Sequence, residues 1–390
     1  MDYNQAALEL HKQNKGKLET VSKVPVKNRE DLSLAYTPGV AEPCRKIQAN
    51  PDDVYTYTSK GNMVAVVTNG TAVLGLGDIG PKAALPVMEG KAVLFKEFGG
   101  VDAFPICLDT KDPEKIIEAV RLIAPSFGGI NLEDIASPVC FQVEDILEQE
   151  LDIPVFHDDQ HGTAVIVTAS LLNALRLVGK DITKIHAVVN GPGAAGTAII
   201  KMLRTVGVPH IIAVDENGIL YKSRGIGIQD HKAMLCEITN PEDIRGGLSE
   251  ALVGADVFIG VSIAGALKPD MIRRMAKDPV VFAMANPVPE IMPEEAKKAG
   301  VAVIGTGRSD FPNQINNVLA FPGIFKGALS VRARNINNEM KAAAAYALAD
   351  LISPEELNPD YIIPGAFDPR VAPAVAAAVA KAARDTGVCK

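Results

Sequence analysis

Two pairs of adjacent carboxylates, Glu133-Asp134 and Asp158-Asp159, and a lysine, Lys91, set in an otherwise apolar helical segment are the residues of this 390-residue chain whose types and spacing point to chemistry. Neighbouring carboxylates in apolar surroundings repel one another and resist ionisation, so a site that gathers them usually supplies a cation. All-oxygen ligation selects Mg2+ or Mn2+ over zinc. Spacing alone leaves a second reading open, in which one or both pairs are solvated loop acids or helix caps. Lys91 also has two readings. A buried ammonium loses solvation, which lowers its pKa and suits it to act as a base, whereas a snorkelling surface lysine has no such role. Tyr36, in Tyr36-Thr-Pro-Gly-Val-Ala41, is ambiguous in the same way. His157 and His161 have the H-x-x-x-H spacing of a helical zinc pair. Asp158, however, stands where H-E-x-x-H needs glutamate, and Gly162 follows at once, which favours hydrogen-bonded loop histidines.

A second chemical signal runs from Gly191 through Pro192, Gly193, Ala194 and Ala195 to Gly196, a G-x-G-x-x-G run. A predicted strand (Lys184–Asn190) leads in, a helix (Thr197–Val206) leads out, and a second strand (His210–Val214) ends in Asp215. Gly191 permits the tight turn, Gly193 lets backbone approach a pyrophosphate, and Gly196 lets helix pack on strand. The helix N-terminus faces the phosphate charge. Asp215 stands where a carboxylate accepts hydrogen bonds from ribose hydroxyls, which favours NAD over NADP. A glycine turn without a ligand is the competing reading. The Leu74-Gly-Leu-Gly-Asp-Ile-Gly80 run reads as a close-approach loop beside the substrate.

These residues need elements to position them, and short β-branched runs alternating with longer helical patterns specify an α/β chain with parallel sheets. Strands are predicted at Met63–Thr68, Ala103–Leu108 and Ile153–Phe156, and helices at Pro81–Glu97, Pro113–Ala124 and Gln142–Glu150; Glu133-Asp134 follows a Gly-Gly-Ile-Asn turn. Strands Ile185–Val189, Ile211–Val214, Val257–Val261, Val280–Met284 and Val301–Ile304 form a doubly wound Rossmann-type unit, followed by helices at Met340–Leu351 and Ala372–Ala383. The junction falls near a helix expected to begin after Gly162, dividing the chain into an N-terminal α/β catalytic domain, residues 1–160, and a dinucleotide-binding domain, residues 161–390.

Composition limits the partners. Lys+Arg 39 against Asp+Glu 47 gives a net charge of −8, which offers no broad field for nucleic acid or anionic lipid. A hydrophobic content of 47% with 22% charged residues excludes disorder and coiled coil. Five cysteines without a CxxC fit neither a disulfide framework nor a zinc knuckle, so a reducing cytoplasm is expected. The N-terminus lacks a secretory pattern. The apolar stretches Thr163–Val178 and Val371–Ala383 are broken by Arg176 and Lys381 and read as too short to span a bilayer.

Taken together, Tyr36-Thr-Pro-Gly-Val-Ala, Val67-Thr-Asn-Gly-Thr-Ala-Val-Leu-Gly-Leu-Gly-Asp-Ile-Gly, Gly129-Ile-Asn-Leu-Glu-Asp, Phe156-His-Asp-Asp-Gln-His-Gly-Thr, Asn286-Pro and Asn316-Asn-Val-Leu-Ala-Phe-Pro-Gly323 resemble the malic enzymes, in particular the short bacterial and archaeal form. The resemblance covers nearly the whole chain. It implies oxidative decarboxylation of L-malate to pyruvate and CO2 with a divalent cation and NAD or NADP, in a homodimer or higher oligomer. It implies Tyr36 as general acid, Lys91 as general base, and Glu133, Asp134 and Asp159 as metal ligands supported by Asp158. Asn286 is implied beside cofactor and substrate, and Asn317 at a malate carboxylate. The larger eukaryotic forms carry an arginine where this chain has Thr71-Ala72, so another group must hold that carboxylate. A catalytically silent dinucleotide sensor on the same scaffold is the alternative, and the complete set of Tyr36, Lys91 and metal carboxylates argues against it.

Overall fold

Short runs of apolar, largely β-branched residues pair into two parallel sheets in the computed structural model, which describes residues 2–73, 75–225 and 231–390. The first sheet has the order β2-β1-β3-β4, with β1 Met63–Thr68, β2 Asp102–Cys107, β3 Gly129–Leu132 and β4 Val155–His157. The second has the order β10-β9-β8-β5-β6-β7, with β5 His186–Asn190, β6 His210–Asp215, β7 Gly218–Ile219, β8 Val257–Gly260, β9 Val280–Ala283 and β10 Val303–Thr306. Only β7 pairs antiparallel among these strands. The strand order reverses between β5 and β8, and ligands of such sheets bind in the crevice beyond the strand C-termini at that point.

Helices α1 (Tyr3–Asn14), α2 (Arg29–Ala35), α3 (Ala41–Ala49) and α4 (Val54–Tyr57) precede the first sheet, and none of residues 2–59 is buried. Helices α5 (Pro81–Gly99), α6 (Pro113–Ile123) and α7 (Val139–Glu150) connect its strands. Then come α8 (Asp158–Val178), α9 (Ala194–Thr205), α10 (His231–Ile238), α11 (Leu248–Ala251), α12 (Pro269–Ile272) and α13 (Pro293–Ala299). The chain ends in α14 (Phe321–Ser330), α15 (Asn338–Ala349) and α16 (Val371–Asp385).

Two expectations change. The Gly-Gly-Ile-Asn segment is not a turn: Gly129–Leu132 is the buried strand β3, between β1 and β4. Glycine weakens a strand, but a Cβ at Gly129 would meet the Phe325 ring at 3.0 Å, so close packing explains its presence. Helix α8 begins at Asp158, ahead of the expected start after Gly162. Its polar opening resembles a loop in sequence, yet carboxylates in a first helical turn complement the helix dipole. The same extension makes α8 long and apolar enough to cross a membrane by composition, but 67% of that window is buried within the protein.

One hydrophobic core joins the two sheets. Val64, Met88 and Phe156 share it with Val189 and Ile259 and with α8, α14, α15 and α16. The C-terminal helices thus return to the first sheet: Phe95 meets Phe321 and Phe325 at 4.7 and 5.3 Å between ring centroids, and Phe325 meets Phe156 at 5.7 Å. Edge contacts of this kind tie α14 to both α5 and β4.

Candidate active site

The C-terminal ends of β3 and β4 deliver the two acidic pairs side by side, because parallel neighbours end together. Glu133 and Asp134 follow β3, and Asp158 and Asp159 follow β4. Carboxylate oxygens of Glu133, Asp134 and Asp159 lie within 4.8 Å of one another. Asp134 holds a left-handed backbone (φ 53°), and its N–H donates to Asp159 Oδ2 at 2.8 Å. Its carbonyl accepts from the Ala72 N–H at 3.0 Å, and the Thr71 hydroxyl accepts from the Ala136 N–H at 3.0 Å. The Thr71-Ala72 turn therefore buttresses the acidic loop. Three converging carboxylates without nitrogen or sulfur fit Mg2+ or Mn2+, and Asp158 Oδ1, buried without a hydrogen bond, marks the same centre as short of positive charge.

Lys91 reaches this centre from α5. Its Nζ lies 2.8 Å from Glu133 Oε1 and 2.7 Å from Asp158 Oδ2, and 4.2 Å from the centroid of the Phe321 ring. Only 7% of the residue is exposed, so the buried reading holds and the snorkelling one fails. The expected direction of its pKa does not hold. Burial pushes the lysine down, but Asp158, Glu133 and Asp159 outweigh burial and raise it above the usual range. Burial likewise pushes Glu133 up and Asp158 up to about 6, against the pull of Lys91. The lysine is raised by the negative charge around it, and the two acids chiefly by burial.

The histidines do not form a zinc pair. His157 caps α8 and His161 lies in its first turn, with Nε2 2.9 Å from Glu144 Oε1. Buried Glu144, on α7, also accepts from the His157 N–H at 2.8 Å and from Gln160 Nε2 at 2.9 Å. Burial opposes its ionisation, yet His161 and Lys341 hold it down at about 2. Glu144 thus fixes the turn that carries Asp158 and Asp159. Sequence reading missed it; the only signal was an acid on the buried face Cys140, Val143, Leu147 of an amphipathic helix.

Asn317, at the start of a short 3-10 turn, donates its amide to Asp158 Oδ2. Asn286 lies beyond β9 against the glycine loop of the first sheet, since a Cβ on Gly75 would meet its carbonyl at 3.2 Å. Leu74 of that loop is outside the described residues. Tyr36, at the end of α2, is 66% exposed, in contrast to buried Lys91, Glu133 and Asp158.

The dinucleotide loop has the expected form. Gly191 has φ 102°, and a Cβ there would lie 2.6 Å from the Val261 carbonyl; at Gly196 it would lie 2.1 Å from the Gly191 carbonyl. A Cβ at Gly193 meets nothing within 4 Å, leaving room for a ligand, and Ala194 and Ala195 begin α9. Beneath the loop, Asn190 Nδ2 donates to Ser262 Oγ at 2.7 Å. Buried Glu290, a second residue missed in sequence, accepts from the N–H groups of Ser262 (2.9 Å) and Ala285 (3.0 Å). Glu290 thereby joins the loops after β8 and β9. Asp215 ends β6 as expected, but its oxygens are engaged by Arg224 at 2.7 Å and Lys232 at 3.0 Å.

Fold and site define a dinucleotide-binding α/β protein with a lysine–carboxylate centre suited to a hard divalent cation. Residues 15–148 match the family described as malic enzyme, N-terminal domain, and residues 160–384 match malic enzyme, NAD binding domain. The bifunctional malic/malolactic enzyme of Bacillus subtilis (strain 168) is 62% identical over 390 residues, covering 100% of this chain and 95% of the relative. The NAD-dependent malic enzyme of Geobacillus stearothermophilus is 58% identical over 375 residues, covering 96% and 78%. The NADP-dependent malic enzyme of Rhizobium meliloti (strain 1021) is 50% identical over 99% of this chain, which spans 53% of that relative. A crystal structure of malic enzyme from Pyrococcus horikoshii superposes with a TM-score of 0.96 at 53% identity, covering 99% of this chain and 92% of that one. The chain belongs to the malic enzyme family.

Proposed function

We propose that the chain catalyses oxidative decarboxylation of L-malate to pyruvate and CO2, with NAD+ or NADP+ reduced and Mg2+ or Mn2+ required. The observation that carries this reading is the position of Lys91 Nζ, within 2.8 Å of two acids at the mouth of the metal carboxylates. Glu133, Asp134 and Asp159 would hold the cation, and the loop from Gly191 to Gly196 with Asp215 and Asn286 would hold the dinucleotide. When bound, the cation supplies positive charge that polarises the substrate oxygens and offsets the acids retaining the Lys91 proton, and the dinucleotide supplies the hydride acceptor. Lys91, once neutral, takes the proton of the C2 hydroxyl as C2 is oxidised. Asp158 holds Lys91 in place, and the Asn317 amide turns to a substrate carboxylate. Oxaloacetate stays bound, loses CO2, and the resulting enol carbon C3 receives its proton from the Tyr36 hydroxyl. Purified protein with malate, Mn2+ and either cofactor is expected to yield pyruvate and reduced cofactor. Neither product forming would overturn the reading and revive the silent sensor. Lactate should be measured alongside, because the Bacillus relative is named a malic/malolactic enzyme.

Residues 1–160 form the catalytic half and residues 161–390 the dinucleotide half in this reading, and the protein works in the cytoplasm as a homodimer or higher homo-oligomer. The exposed arm supports the dimer: Tyr3, Leu8, Val21, Leu34 and Tyr36 are each more than half exposed, and a monomer gives these side chains nothing to cover them.

Two substitutions test local parts of the scheme. At Gly162 a Cβ would fall 1.9 Å from Asp158 Oδ1, so Gly162→Ala must displace the acid that holds Lys91. A fall in kcat of about 10²-fold is expected, the usual cost of misplacing a catalytic group by about 1 Å; a wild-type kcat would show that Asp158 has no positioning role. Asp215 favours NAD, while its partners Arg224 and Lys232 bring two cations to a 2′-phosphate, so NAD with NADP also accepted is the reading. Lys232→Ala should lower kcat/KM for NADP+ about tenfold more than for NAD+, the size of one charge-assisted hydrogen bond. Equal losses with both cofactors would place Lys232 away from the 2′ position.

A further inference from the structure

His186 opens β5 and His210 opens β6, and the two are register partners on adjacent parallel strands. Strand alternation puts them on the face that carries Val188, Ile212 and Val214 into the second core. Each next position along that face is apolar and buried, but the first is a pair of imidazoles stacked with centroids 4.4 Å apart and planes 4° from parallel. They lie at the strand N-termini, the end of the sheet opposite Gly191 and Asp215 and therefore opposite the crevice.

A third donor is held beside them. The Glu242 carboxylate pairs with His210 Nδ1, and one donor atom from each of His186, His210 and Glu242 lies within 4.8 Å of the other two. Glu242 is exposed, but the backbone that carries it is held. Its loop is anchored by buried Asn240, whose N–H donates to the Ile211 carbonyl at 2.7 Å, one residue from His210. The Asn240 amide also donates to the carbonyls of Leu220 at 3.0 Å and Ile244 at 2.8 Å, and accepts from the Ile244 N–H at 2.9 Å. Strand pairing sets the backbones of the two histidines side by side, and the amide network holds the backbone on either side of the acid.

We infer that His186, His210 and Glu242 bind a borderline divalent transition ion of the Zn2+, Co2+ or Ni2+ class, with water completing the coordination. Two imidazoles and one carboxylate are the donors such ions take, and hard Mg2+ prefers the all-oxygen centre at Glu133, Asp134 and Asp159. Tetrahedral ligation at about 2.0 Å per bond needs donors about 3.3 Å apart, so the stacked rings must turn out of parallel for their nitrogens to converge on one ion. The ion would staple β5, β6 and the loop after α10 at a point remote from the chemistry.

The test titrates ZnCl2 into chelator-stripped protein with MgCl2 in excess, and follows stoichiometry by native mass spectrometry and stability by thermal unfolding. One Zn2+ per protomer and a raised Tm are expected. His186→Gln and Glu242→Gln should each weaken Zn2+ binding about tenfold or more and abolish the rise in Tm. Unchanged Mg2+-supported turnover in these variants establishes that they are folded. Co2+ should give four-coordinate visible bands in the wild type and lose them in both variants. Zn2+ binding of equal affinity in wild type and variants, or none beyond displacement of Mg2+, overturns the inference.

Discussion

Lys91→Met is expected to lower malate oxidation by about 10³-fold or more, at the upper end of what loss of a general base costs. The same change leaves Glu133 and Asp158 buried without their shared cation, and breaking a buried pair of this kind costs about 3–5 kcal/mol. Tm measured without metal should therefore fall as well, and Mg2+ should restore part of it by neutralising the same acids. Lys91→Arg separates the two effects. Guanidinium keeps the positive charge but does not give up its proton, so stability should largely return while oxidation stays as low as in Lys91→Met. Decarboxylation of added oxaloacetate, which needs no hydroxyl proton removed, should suffer less than malate oxidation in both variants. Wild-type kcat in Lys91→Arg would show that Lys91 serves only as a counter-charge.

That test turns on a property the sequence revealed in half. An apolar helix around Lys91 announced its burial, and burial alone lowers a lysine pKa. The raised value comes from Glu133, Asp158 and Asp159, which lie far along the chain and converge only through the parallel order of β1, β3 and β4. Strand β1 was legible to the residue because Val64–Val67 are consecutive, apolar and fully buried. Strand β3 was hidden by glycine, which packing against Phe325 requires and which local propensity reads as a turn. The start of α8 was hidden because the residues that make it functional also make it polar. Glu144 shows only its place on a buried helix face and Glu290 no spacing signal; the first holds the opening of α8 and the second ties the loops after β8 and β9. Asp215 was found from its place after β6, but Arg224 and Lys232 reach it only after the β7 hairpin turns the chain back.

Mixing Tyr36→Phe with Lys91→Ala, each inactive alone, is expected to restore activity. Tyr36 ends α2 in an arm where no described residue before Lys60 is buried, and Tyr36 itself is 66% exposed. Lys91, Glu133 and Asp158 are buried, with Phe321 of α14 against the Lys91 ammonium. A proton donor left on an open arm and a base left without a donor are completed together if the arm crosses to a second copy, so that Lys91 of one protomer works with the partner's Tyr36. Isologous exchange then builds two shared sites per dimer. Random reassortment makes about half the dimers mixed, each with one intact site of two, so about one quarter of wild-type activity should return. If each site instead used its own tyrosine, every site in a mixed dimer would carry one lesion and nothing would be regained. The assay requires reassortment to be verified, for which co-expression with two affinity tags and isolation of the doubly tagged dimer suffices. In that purified heterodimer the expected value rises to about one half, and activity no higher than in the parent variants would sink the shared-site reading while leaving the role of Lys91 intact.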